Sequence, residues 1–130
     1  MWEATTEDVH IQVSASFLAD ESEPDDHEYL WAYTVTISNR GTQSVQLLNR
    51  HWIIIDARGH REEVKGPGVV GQQPKISPGD SFSYTSACPL ATPSGVMRGS
   101  YDMVRVDGTR FSANIPAFSL DSPHERQTQN

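Results

Sequence analysis

Hydrophobic and polar residues alternate with a period of two along much of this chain. Val9, Ile11, Val13, Ala15 and Phe17 are separated by His10, Gln12, Ser14 and Ser16. That is the pattern of a half-buried strand, because successive strand side chains point to opposite faces. From Tyr29 to Ser38 the alternation is strongest: Tyr29, Trp31, Tyr33, Val35 and Ile37 share one face, and Thr34, Thr36 and Ser38 share the other. Val45 to Asp56 is a second long extended run, with Ile53, Ile54 and Ile55 apolar on both faces. Phe82 and Tyr84 place a strand at Ser81 to Ser86. Val96 to Val106 is another, carrying Met97, Tyr101 and Met103 on one face and Val96, Val104 and Val106 on the other. Arg110 to Ile115 returns with Phe111, Ala113 and Ile115 inward, and Phe118 and Leu120 are expected to pack on the body.

Turn residues punctuate these runs. Asn39-Arg40-Gly41-Thr42 reads as a turn, and Asp56-Ala57-Arg58-Gly59 as a hairpin leading to a short return strand, Arg61 to Lys65. Pro78-Gly79 suits the central positions of a type II turn, and Asp107-Gly108 a two-residue type I′ hairpin. Cys88 to Gly95, broken by Pro89 and Pro93, is expected to be irregular. No segment holds a helical period. Seven or so short strands between Gly/Pro turns predict an all-β, antiparallel β-sandwich of immunoglobulin-like topology. The immunoglobulin cysteine pair is absent, so the expected variety is fibronectin type III-like. One domain is expected over residues 1–120, followed by a polar, disordered tail over 121–130.

Composition sharpens this picture. A chain of 130 residues buries about two-thirds of its unfolded surface, enough for a self-sufficient core. Cys88 is the single cysteine, so no intrachain disulfide can form, as befits a reducing cytoplasm. The start of the chain has neither the basic residues nor the apolar run of a signal peptide, and no apolar run is long enough to span a membrane. The net charge of −7 is uneven. Residues 1–28 hold nine acids and no Lys or Arg, which leaves the remaining body at +2. Nucleic-acid binding, which needs a basic stripe, is not expected; a local anion site on the body is compatible. Leu18 to Glu28, acidic around Pro24, reads as a mobile solvated loop.

The densest glycine cluster, Gly66-Pro67-Gly68-Val69-Val70-Gly71, spells G-x-G-x-x-G. A dinucleotide loop of that spelling needs a helix after it. Pro74 and Pro78 exclude one here. A weaker reading survives, because glycines at positive φ let consecutive amides form a concave anion nest. Gly66, Gly68 and Gly71 would form it, with Arg61, Lys65 and Lys75 supplying charge to pyrophosphate or another phosphate-containing ligand. The competing reading is a tight inter-strand turn whose glycines serve backbone geometry alone, and a protein-partner surface is a third. The five histidines show no two-His metal spacing. Asp25-Asp26-His27-Glu28 is the one local cluster able to hold Mg²⁺ weakly, and a solvated acidic loop is its simpler reading. His51 reads as a strand histidine or as a residue lining the glycine loop. Cys88 reads as a small core residue rather than a nucleophile.

Longer motifs carry a family resemblance. Asn49-Arg50-His51-Trp52, the turn at Asp56 to Gly59, Glu63-Val64-Lys65 with the glycine segment through Pro74, and Pro78-Gly79 followed by Tyr84-Thr85-Ser86 all resemble the bacterial ApaG (CorD) family. So do Cys88-Pro89-Leu90, Met97-Arg98-Gly99-Ser100-Tyr101 and Ile115-Pro116-Ala117-Phe118. The resemblance spans roughly residues 4–120. It implies a stand-alone β-sandwich of a kind also found in some eukaryotic F-box proteins and in a polymerase-delta-interacting protein, where it mediates interactions. It also implies a link to cobalt resistance and magnesium efflux. The sequence reading is therefore a non-enzymatic binding or regulatory module in Co²⁺/Mg²⁺ homeostasis, with no resident cofactor and an unidentified protein partner. A pyrophosphate or nucleotide binder is the alternative, and an enzyme such as a phosphohydrolase ranks last. Homodimerisation through an edge strand is compatible with the fold.

Overall fold

The structure, a computed structural model, describes residues 1–125. Nine strands follow one another: β1 (Trp2–Thr6), β2 (Val9–Phe17), β3 (Tyr29–Asn39), β4 (Val45–Asp56), β5 (Arg61–Pro67), β6 (Lys75–Ile76), β7 (Ser81–Leu90), β8 (Gly95–Arg105) and β9 (Arg110–Leu120). They form two antiparallel sheets, β1-β2-β3-β7 and β5-β4-β8-β9, with β6 paired to the start of β4. The sequence expectation of an all-β sandwich is met. No helix among the described residues is long and apolar enough to cross a membrane.

The core lies between the sheets where the alternation places it. Trp31, Val35, Ile37, Ile11 and Val13 of the first sheet meet Leu47, Met97, Tyr101, Met103 and Phe118 of the second, all buried. Each buried large side chain contributes about 1.5–3 kcal/mol relative to exposure. On the outer face of the first sheet, hydroxyls pair across β3 and β7: Thr34 with Thr85, Thr36 with Ser83 and Ser38 with Ser81, at 2.7–2.8 Å.

Two bulges shift the pattern. One extra residue in β4, at Leu48, separates the pairs Leu47–Met103 and Asn49–Asp102. Because the side-chain period is two, the inward set changes from Val45 and Leu47 to Arg50, Trp52 and Ile54. One extra residue in β9 separates Met97–Phe118 from Gly99–Ile115. The inward set there passes from Ala113 and Ile115 to Phe118 and Leu120, and a single strand continues through Pro116.

Several stretches differ from the sequence expectation. The acidic start of the chain is a strand, β1, joined to β2 by a turn in which Glu7 and Asp8 have φ of 44° and 69°. A two-residue turn with both residues left-handed matches the twist of its hairpin, but it usually shows an Asn-Gly or Asp-Gly signal. Cys88-Pro89-Leu90 is not irregular. It continues β7, opposite Trp31, Leu30 and Tyr29, because β7 lies at a sheet edge where proline's missing amide is tolerated. The 18–28 loop is folded rather than loose. Buried Ser22 donates to the Leu18 carbonyl and accepts from the Leu30 amide, and Glu23 and Glu28 form a bridge. At the other terminus, Trp31 Nε1 donates to the Asp121 carbonyl, Ser122 to the Pro93 carbonyl, and the His124 ring lies against Phe17. The rest of the expected tail, 126–130, lies outside the described residues.

Candidate functional site

The glycine segment is built onto the β4 bulge. Gly66 and Pro67 complete β5, opposite Arg50 and Asn49. Val69 and Gln72 then exchange both backbone hydrogen bonds, at 2.8 and 2.9 Å, around Val70 (φ 43°) and Gly71 (φ 78°). This is a two-residue turn with both central residues left-handed, the type I′ form. The bulged Leu48 offers its carbonyl to the Gly68 amide and to the Gln73 side chain, fastening the turn to the sheet. A Cβ at Gly68, whose φ is +63°, would stand 2.2 Å from the Gln72 carbonyl oxygen. At Gly66 a Cβ would lie 3.0 Å from the Arg50 guanidinium. Gly68 is required by this backbone collision and Gly66 is packed tightly against the guanidinium, whereas Gly71 meets nothing within 4 Å and answers only to its φ.

The amides of Gly68, Val69 and Gln72 are thus spent on backbone partners. The segment instead turns carbonyls toward a cation: Arg50 Nη1 donates to the Pro67 and Gly68 carbonyls at 2.9 and 3.0 Å. Sequence reasoning did not select Arg50. Its spacing of two from Trp52 is the signal, since both face inward beyond the bulge.

On the outer face of the same strands lies a groove of about 570 Å³, with Asn49, His51, Lys65, Ser100, Asp102 and Ser112 around it and Gly66 alongside. The strand register brings these residues together in two cross-strand rows. Lys65, His51 and Ser100 form one, and Asn49, Asp102 and Ser112 the other. Asp102 accepts from Arg110 and from Asn49, and the Arg110 hydrogen bond, ahead of that from Asn49, holds its carboxyl below the ordinary range. His51 Nε2 is enclosed and has no hydrogen-bond partner, with the nearest Glu63 carboxylate oxygen at 3.7 Å. Lost solvation acts to raise the Glu63 carboxyl, but the Arg61 hydrogen bond and the charges of Arg61, His51 and Lys65 outweigh it and hold it low.

The six candidate residues are therefore spread over several places. Lys65 and Gly66 line the outer groove. Gly68 and Gly71 shape the turn. Arg61 is engaged with Glu63 at 2.8 Å. Lys75 sits on β6, beside a separate depression lined by Ser44, Gln46 and Arg105. Cys88 is buried, and that burial pushes its thiol up to about 11, far from a thiolate at neutral pH. Among the described residues no three His, Cys, Asp or Glu side chains gather as metal ligands.

Known proteins share both sequence and architecture with this chain. The ApaG domain family matches residues 19–105. Protein ApaG of Paramagnetospirillum magneticum is 54% identical over 130 residues, covering 100% of both chains. Protein ApaG of Brucella anthropi is 52% identical over the same length and coverage. A crystal structure described as that of an ApaA protein from Bordetella pertussis superposes with a TM-score of 0.87 at 44% identity, covering 91% of this chain and 96% of the other. The family match covers more than half of the chain and the relatives align from end to end, so this β-sandwich belongs to the ApaG family.

Proposed function

We propose that the chain is a non-enzymatic binding and regulatory module of the cytoplasm that contributes to divalent-cation (Co²⁺/Mg²⁺) homeostasis. Its small-molecule site is the outer groove beside the glycine turn. The cation role rests on the family resemblance. The binding role rests on one observation: Lys65, which has no carboxylate within 4 Å among the described residues, and the half-buried His51 line a groove walled by hydrogen-bonding side chains. A pyrophosphate-sized anion fits that chemistry, with Lys65 as the charged donor and His51, Asn49 and Ser100 fixing orientation. Co²⁺ or Mg²⁺ would arrive on the phosphate oxygens, which suits Mg²⁺, an ion that keeps few protein ligands. The buried, protonated Cys88 supports a binding role over nucleophilic catalysis.

Titration of labelled protein with pyrophosphate, with and without Mg²⁺ or Co²⁺, tests this by amide NMR. The expected result is saturable shifts at His51, Lys65, Gly66 and Ser100 that weaken in Lys65→Ala. A spectrum unchanged at millimolar pyrophosphate would sink the anion site.

A further inference from the structure

The two flanks of the sandwich are unlike. β1 and β2 pack against β9 on one side, whereas β5 and β7, the outermost strands at the other, leave a cleft between the sheets. Its two lobes, of about 260 and 270 Å³, share Tyr33, Arg50, Trp52 and Ser86. Three observations bear on what enters it. First, β7 runs ten residues, Ser81 to Leu90, without a charge. Exposed edge strands ordinarily carry charges that forbid further pairing. The facing edge strand β5 does, with Arg61, Glu62, Glu63 and Lys65. Second, Arg50 is half-buried in the cleft and has no carboxylate within 4 Å among the described residues. Its Nη1 is held by the Pro67 and Gly68 carbonyls, so the head group is fixed and its other edge is free to pair. Third, the inward faces of β4 and β5 run in register from Arg50 and Gly66, through Trp52 and Val64, to Ile54 and Glu62. The cleft is therefore cationic at one end, apolar in the middle and anionic at the other.

We propose that the β7 edge is a strand-addition site for an extended segment of a partner protein. That segment carries an acid, an apolar residue and a base at alternate positions, acid-x-apolar-x-base. Added to β7, the segment extends the first sheet over β5. Period-two alternation turns those three residues into the cleft. The acid pairs with Arg50, the apolar residue covers Trp52 and Val64, and the base meets Glu62. Four residue steps along the strand lead from Arg50 to Ile54, the partner of Glu62, or about 13 Å, the span from i to i+4 in the added strand. The cleft lies on the inward side of β4 and the outer groove on its other face; Arg50 borders both, so it is Ala87 and Lys65 that tell the two sites apart.

Panning a random-peptide display library on the full chain tests the proposal. The expected result is enrichment of the acid-x-apolar-x-base pattern in one chain direction. Selected peptides should bind Ala87→Glu, which puts a charge on the exposed face of β7, at least about tenfold more weakly. Panning on Glu62→Lys should replace the selected base with an acid, a change of specificity that a folding defect cannot produce. No enrichment, enrichment without the charged pair, or binding lost in Lys65→Ala but kept in Ala87→Glu would each overturn the proposal. A concentration-dependent dimer abolished by Ala87→Glu would also overturn it, since a second copy would then occupy the edge.

Discussion

The two flanks of this sandwich solve the same problem in opposite ways. On the β1–β9 side, Trp2 packs on Phe118 with ring centroids 5.7 Å apart, the Asn114 amide donates to Thr6 Oγ1, and Arg105 reaches Glu7 at 3.0 Å. On the β5–β7 side the sheets stay apart. A guanidinium, a buried pair of tyrosine hydroxyls and a tight glycine turn occupy the opening. Apolar closure stabilises without specifying a partner, whereas a half-open edge with fixed polar groups gives up stability and gains selectivity. The difference lies in side chains rather than in backbone, since both flanks end in edge strands.

Substitutions can break or sharpen that contrast. Phe118→Ala, which empties the closed flank, is expected to cost about 3–5 kcal/mol, and Phe82→Ala on half-buried β7 less than half of that, by urea denaturation. If the two cost the same, the flanks are equally packed and the comparison fails. Gly68→Ala is expected to lose about 1–3 kcal/mol through positive φ and collision with the Gln72 carbonyl, while Gly71→Ala should cost about 1 kcal/mol or less. Hydrogen exchange at Val69 and Gln72 would show whether the loss is confined to the turn. Tyr84→Phe leaves the Tyr101 hydroxyl buried without its partner, for about 1–3 kcal/mol, and adding Tyr101→Phe should recover part of the loss. Burial raises both phenols well above their ordinary value, so this pair stays protonated and pH-insensitive up to strongly alkaline solution. The smallest effect is at Asp102. Its carboxyl is lowered from 3.8 by Arg110, so its contribution is present above that value and is lost as pH falls through the lowered one. Asp102→Asn should flatten the acid limb of the stability–pH profile below about pH 4 and leave neutral stability nearly unchanged.

The fold was legible because alternation is a strong signal where one face is buried. Every odd residue from Tyr29 to Asn39 is buried in β3 as the pattern requires. Legibility failed where one residue is inserted or where an edge relaxes the usual rules. Nothing in Leu47-Leu48-Asn49 announces a bulge, and without it Arg50 cannot be placed with the core aromatics. β1 was hidden because its burial is supplied by Phe118, more than a hundred positions away. Pro89 reads as a breaker, yet it lies in an edge strand. In the candidate site, Lys65 and Gly66 were found by proximity to the glycines. Asn49, Ser100, Asp102 and Ser112 were not, because only the register of four strands gathers them. The glycine spelling named the turn correctly as a place of unusual backbone. The Val69 and Gln72 amides, however, pair within the turn and that of Gly68 with the Leu48 carbonyl, which no spacing rule reveals.

The meeting of β1 with β9 has a consequence for biosynthesis. β1 completes its packing only once β9, more than a hundred positions later, has been synthesised, so the closed flank cannot form while the strands between them are being translated. Contacts between chain ends also raise contact order, which slows folding. The same meeting brings the two ends of the domain side by side, so a short peptide could join them and a new start could be cut at Asp107-Gly108. Such a circular permutant would synthesise β9 directly ahead of β1, turning the longest-range closure of the sandwich into a local one.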